Sequence, residues 1–175
     1  PRAPLVRPWI WGLIAVVVTL ATYLPALSGE FVWDDVSLIE QVPPDQLRRP
    51  VLDYFTRPFW EPNSVTPKMN LYYRPLVALS YRFDHAVHGF NSAGYRITNF
   101  FFHALNVLLL FALSLRGGAP ASVACILASG WGVLPRLAEN VAWISGRTDV
   151  FAATFVLAGL AAWKGNSAVR LALCS

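Results

Sequence analysis

The chain has 175 residues, 55% of them hydrophobic and only 14% charged, with a net charge of +4. A soluble domain holds about 45–50% apolar and about 25% charged residues, so this balance points to membrane spans rather than one large soluble core. Two cysteines, Cys125 and Cys174, make no disulfide framework; outside residues 28–96 seven basic residues stand against two acidic ones, a juxtamembrane excess and not the basic face that nucleic acid would need.

Arg2 and Arg7 precede an apolar run that predicts a first span over 8–27. Pro8 can open the helix because a first-turn nitrogen needs no partner. Trp9, Trp11 and Tyr23 mark its two interfaces. Ala26-Leu27-Ser28 would also serve as a signal-peptide cleavage site, a competing reading of the same flanks. By either reading the N-terminus stays in the cytoplasm and Gly29 onward emerges outside. Residues 28–96 form an extracytoplasmic loop with eight acidic and seven basic residues, too long for a simple connection and so expected to be functional. Asp34 or Asp35 can cap a short helix over 36–41, and residues 44–49 can make a further turn. Phe55, Phe59, Trp60, Tyr72 and Tyr73 suit the headgroup level. The spacing of Leu76, Leu79, Phe83 and Val87 predicts an amphipathic helix over 75–88, ended by Gly89 and lying along the membrane.

A second span is expected over 97–115, with Asn99, His103 and Asn106 on one face. Arg116 to Pro120 make a tight turn with Arg116 on the cytoplasmic side. The third span, 120–134, is short and contains Gly130 and Gly132, which would let helices approach closely. An outer hairpin over 135–149 carries Arg136, Glu139, Arg147 and Asp149. A fourth span over 150–163, or from as early as Val141, and a cytoplasmic tail over 164–175, with Lys164 and Arg170, complete the chain. The third and fourth runs fall short of a normal span and would hold only as a packed hairpin in a larger bundle. The fold class is therefore all-α membrane, a polytopic helical bundle. The first residue is Pro1, and the last stretch ends without a folding unit, so the chain reads as an N-terminal fragment of a longer protein. Arginine far outnumbers lysine, which hints at a GC-rich bacterial source and favours a bacterial inner membrane over the endoplasmic reticulum.

Four places could carry chemistry. Asp34 and Asp35 are either a helix cap with a solvated neighbour, a general base with a partner that orients it, or half of a divalent-metal site that lacks other obvious ligands. Arg74, in Tyr73-Arg74-Pro75, either starts a helix in solvent or grips a phosphate or carboxylate in a bidentate fork. Asn99, His103 and Asn106 either bond neighbouring helices or serve a site. Glu139 and Arg147 lie two helical turns apart with Trp143 between them; they would pin the hairpin as an internal pair, or Arg147 would face a lipid-linked phosphate.

Three segments, GEFVWDDVSLI, YYRPLVALSYRFDHAVHGFNSAGYRITNFFFHALNVLLL and LPRLAENVAWISGRTDVFAATF, stand in the order and spacing of the membrane region of TPR-containing O-mannosyltransferase-like proteins. That family belongs to the GT-C class of polytopic glycosyltransferases. The resemblance runs from Gly29 to Trp163. It implies a bundle of many spans, of which this chain holds the first four, often followed by soluble TPR repeats. It implies a polyprenyl-phosphate-linked sugar donor, typically mannose, and a protein Ser or Thr hydroxyl as acceptor. It matches Asp34 and Asp35 to the acidic pair where the class places its catalytic base, and gives substrate or donor roles to Arg74, Asn99, His103, Glu139, Arg147 and Asp149. Where this chain has Leu134-Pro135 the family pattern reads His-Pro.

The chemistry implied is direct displacement. A carboxylate, Asp34 with Asp35 orienting it or the reverse, takes the acceptor's proton while its oxygen attacks the anomeric carbon. Arginines stabilise the departing lipid phosphate. The alternative is a non-catalytic membrane scaffold that anchors TPR interaction repeats; the missing histidine favours it. A transporter would want a repeat and a charged mid-membrane pathway, which the spans lack.

Overall fold

The structure is a computed structural model that describes residues 7–43, 49–57, 59 and 72–163. The expected turn over 44–49 lies, but for Arg49, outside the described residues, as do Trp60, Cys174 and the tail over 164–175 with Lys164 and Arg170.

Among the described residues six α-helices carry the fold: α1 (Pro8–Tyr23), α2 (Pro75–His88), α3 (Ser92–Arg116), α4 (Ala121–Gly132), α5 (Pro135–Ala142) and α6 (Arg147–Ala162). No strand occurs among the described residues. Pro8 opens α1, and a 3-10 turn over Leu24–Ser28 extends it to membrane length. The stretches Pro8–Ser28, Ser92–Arg116 and Ile144–Ala162 are each long and apolar enough to cross a bilayer. The pair α4 and α5 is long and apolar enough only when taken together, and it is bent by 66° at Val133-Leu134, the geometry of a broken span or of a re-entrant loop. The chain is an all-α membrane bundle.

Helix α3 is the central element, packed on α6, α4, α1 and α2. At one end of the bundle small residues let the helices close in: Ala15, Ala124 and Ala128 are wholly buried with Val107 and Phe111. At the other end Ile39, Tyr81, Tyr95, Ile144 and Phe151 form a second core, which joins the long loop to α2, α3 and α6.

Three elements differ from the sequence reading. Helix α3 starts at Ser92, five residues early, because the Asn91 side chain caps it by accepting from the Ala93 amide at 3.1 Å. The outer hairpin is itself structured: α5, then a 3-10 turn over Ile144–Gly146, with Trp143 extended between them at φ −81° and ψ 127°. Helix α6 then begins at Arg147. Helix α2 has the expected bounds, but it buries Val77, Tyr81, Asp84 and His85 and turns Leu76, Phe83 and Val87 outward. In lipid the surroundings are as apolar as any core, so polar groups gather inside the bundle.

Candidate functional site

The long loop leaves the first span through Gly29 and Glu30, whose carbonyls both accept from the Arg96 guanidinium. Arg96 Nε also donates to the Ala142 carbonyl at 3.0 Å. One buried side chain on α3 therefore ties the start of the loop to the end of α5. Gly29 lets Arg96 come close: an added Cβ would lie 3.1 Å from Arg96 Nη2, a tight contact.

The two aspartates then part ways. Asp35 is fully buried. Its Oδ1 accepts from the Ser145 amide at 2.9 Å and from the Ser145 hydroxyl, and its Oδ2 from the Val32 amide at 3.4 Å. It cross-links the loop to the 3-10 turn instead of capping the π-helical turn Val36–Glu40, for which it makes no side-chain cap bond. Burial pushes its carboxyl above the ordinary range, while the two Ser145 bonds, the Val32 amide and the nearby Arg96 charge pull it down. Asp34 makes no side-chain hydrogen bond among the described residues and lines a cavity of about 280 Å³.

That cavity gathers residues remote in sequence. Beside Asp34 stand Arg74 from the start of α2, Arg136 and Glu139 from α5, Trp143, and Asp149 from the first turn of α6. Arg74 donates to the Thr148 hydroxyl at 3.3 Å and stacks over Tyr72 at 4.9 Å and Phe59 at 5.6 Å. It has no carboxylate partner among the described residues. Glu139 meets Arg136 at 3.5 Å in a pair open to solvent.

Four of the sequence-derived candidates lie elsewhere, inside the bundle. Arg147 is wholly buried; its nitrogens donate to Asn99 Oδ1, the Ser80 hydroxyl and the Tyr95 carbonyl, each at 2.7 Å, and Nη1 lies 2.6 Å from Asp84. Its ring contact is Tyr81, 4.8 Å away, and not Trp143. The expected Glu139–Arg147 pair does not form, because extended Trp143 breaks the helix between them. Asn99 turns its amide to the carbonyls of Val141, Trp143 and Ile144, at 3.1–3.4 Å. His103 Nε2 meets the Gly132 carbonyl at 3.0 Å, which also accepts from the Tyr23 hydroxyl at 3.0 Å. The α4–α5 break frees that carbonyl. Asn106 donates to the Val150 carbonyl at 3.0 Å. Asn99 and His103 thus satisfy carbonyls that helix breaks leave open, and Asn106 adds a bond to a carbonyl within the first turn of α6.

Asp84, Arg96, Ser145 and Thr148 were not singled out in the sequence, and Arg136 was named there only as a charge of the outer hairpin. Arg96 and Asp84 carried a signal: each is a charge on a face that becomes interior. No group of three or more His, Cys, Asp or Glu residues that could hold a metal ion occurs among the described residues.

A bundle of membrane-length helices with carboxylates and a stacked arginine around one polar cavity defines a polytopic membrane protein with a candidate active site. Over most of its length the chain is similar to protein O-mannosyl-transferases. It is 30% identical to TMTC2 of Homo sapiens over 161 residues, 90% of the chain and 19% of that protein. It is 34% identical to TMTC1 of Mus musculus over 166 residues, 90% of the chain and 17% of that protein. It is 28% identical to a protein O-mannosyl-transferase of Caenorhabditis elegans over 151 residues, 85% of the chain and 22% of that protein. The resemblance read from three motifs thus extends over most of the chain, which spans about a fifth of the length of these curated relatives. No protein-family model matches it, and no solved structure does.

Proposed function

We propose that the chain is the N-terminal part of a membrane glycosyltransferase that moves a sugar, mannose by its resemblance, from a polyprenyl-phosphate donor to a protein Ser or Thr hydroxyl. The observation that carries this reading is that Asp34, with no side-chain hydrogen bond among the described residues, meets Arg74 at one cavity across forty residues of loop. Asp34 takes the hydroxyl proton as the oxygen attacks the sugar's anomeric carbon. The bond from that carbon to the phosphate oxygen breaks, and the lipid phosphate leaves with the electron pair. Arg74 receives the charge, its planar fork held in place by Tyr72 and Thr148, with Arg136 as a second cation. Glu139 and Asp149 are then acceptors for sugar hydroxyls. Asp35, Asn99, His103 and Arg147 support the site from within the bundle.

Arg7 and Arg116 stand at the bundle end opposite the cavity, which favours an extracytoplasmic site. The arginine-rich composition favours a bacterial membrane; the animal relatives do not add to that. TPR repeats beyond this chain belong to the same reading.

The test is Asp34→Asn in the complete protein, with polyprenyl-phosphate mannose as donor. Transfer should fall by about a hundredfold to ten-thousandfold, the worth of one catalytic proton acceptor. Donor binding and expression should hold. Transfer at the unmodified rate in this variant sinks the assignment.

A further inference from the structure

Trp33 has a backbone that few bulky residues adopt, with φ at 50°, and its side chain is 76% exposed. Strain of this kind is retained only where the surroundings over-determine it, and such sites cluster at functional positions. Burial of the indole gives little in return here. Its ring meets Trp143 edge to face, with centroids 5.8 Å apart and planes at 83°. Trp143 is itself fixed, since its carbonyl accepts from Asn99 at 3.1 Å and its side chain forms part of the cavity wall. Asp34, the next residue in the chain after Trp33, faces the same cavity.

We propose that Trp33 and Trp143 form an aromatic ledge beside the cavity, on which the acceptor peptide lies while its Ser or Thr hydroxyl reaches Asp34. This rests on the reading of Asp34 as the base. A carboxylate that accepts the hydroxyl proton must sit within hydrogen-bond reach of it. The peptide residues that flank the hydroxyl then pass over Asp34's chain neighbour. Arg74 holds the opposite role, toward the departing phosphate, so the uncharged aromatic side is left to the acceptor. An indole face recognises apolar and proline side chains and bears no charge, which selects an extended peptide with such residues next to its Ser or Thr.

The experiment uses the complete protein and a fluorescent synthetic peptide with one Thr flanked by proline and valine, with polyprenyl-phosphate mannose as donor. Trp33→Gly is the informative variant, because glycine accepts the left-handed backbone without strain and thermal unfolding should hold or rise. Peptide Kd and acceptor KM should rise about tenfold, with donor KM unchanged. Trp33→Tyr should recover part of the loss. Unchanged peptide affinity in Trp33→Gly, or no peptide binding by the unaltered protein, overturns the inference. A raised donor KM assigns the ledge to the donor, and weakened membrane retention with intact peptide affinity assigns it to the lipid interface; either overturns it too. Asp34→Asn, measured alongside, should bind the peptide and fail to transfer. Transfer by that variant overturns the catalytic reading alone, since peptide binding reads the ledge without turnover.

Discussion

At the scale of the residue, the adjacent aspartates show how position divides two like groups. Asp34 stands at the cavity unbonded, and Asp35 is buried on Ser145. Burial is the largest influence on Asp35 and raises its pKa. A carboxyl whose pKa is higher in the folded than in the unfolded state binds its proton more tightly when native. Its contribution is therefore fullest at low pH and declines as pH rises from the unfolded value, about 3.9, through the folded one. Asp84 shifts in the same direction, again chiefly by burial, so the two act together. Asp35→Asn keeps an acceptor for the Ser145 amide and removes the charge. Its thermal unfolding, followed across that pH window in detergent, should decline less steeply than that of the unaltered protein; an identical slope would mean that Asp35 is not the group responsible. The sequence made the pair conspicuous but could not say which member was free. That choice is made by Ser145, 110 residues away. Asn99 and His103 were legible as polar groups inside a span, and their partners, carbonyls freed at Gly132 and Val141–Ile144, were not.

Among the elements, boundaries with local signals were readable and those set by tertiary contact were not. Helix α2 begins at Pro75 and ends at Gly89, whose φ is 60°, and both marks are in the sequence. The break between α5 and α6 has no proline, and its turn dipeptide Ser145-Gly146 marks a bend without saying that residues 135–142 form a helix before it, so residues 135–149 looked like a hairpin. The cause is packing. Gly146 lies against the backbone of α5, where an added Cβ would come within 2.8 Å of Asn140 Cα and 2.9 Å of the Glu139 and Asn140 carbonyl oxygens. Those atoms belong to main chain and cannot swing aside, unlike the Thr19 side chain that crowds Gly132. Gly146→Ala should therefore push α5 from the start of α6 and widen the cavity between Glu139 and Thr148. The expected cost is about 1–3 kcal/mol of stability, with a fall in transfer larger than thermal unfolding alone accounts for. Gly132→Ala, rescued in part by Thr19→Ala, is the comparison. Equal losses of transfer in the two variants at matched stability would deny Gly146 its place in the cavity wall.

For the molecule as a whole, the decisive feature is one cluster that joins three helices. Arg147 on α6, Asp84 and Ser80 on α2, and Thr98, Asn99 and Tyr95 on α3 meet in a buried network, in which Thr98 donates to Asp84 at 2.6 Å. It fixes α2 against α6, and so sets Arg74 beside Thr148. A buried ion pair need not add net stability, because both charges lose their water, but removal of one partner strands the other. Arg147→Ala and Asp84→Ala should each cost about 3–5 kcal/mol. Arg147→Met combined with Asp84→Leu should cost much less than the sum, as unfolding of the three proteins in mixed micelles would read. The double variant also separates the two roles open to Arg147. A residue that only locks the helices leaves donor KM near its original value once the fold is recovered. A residue that touches the lipid phosphate raises donor KM in the double variant however well it folds, and that result would return Arg147 to the cavity.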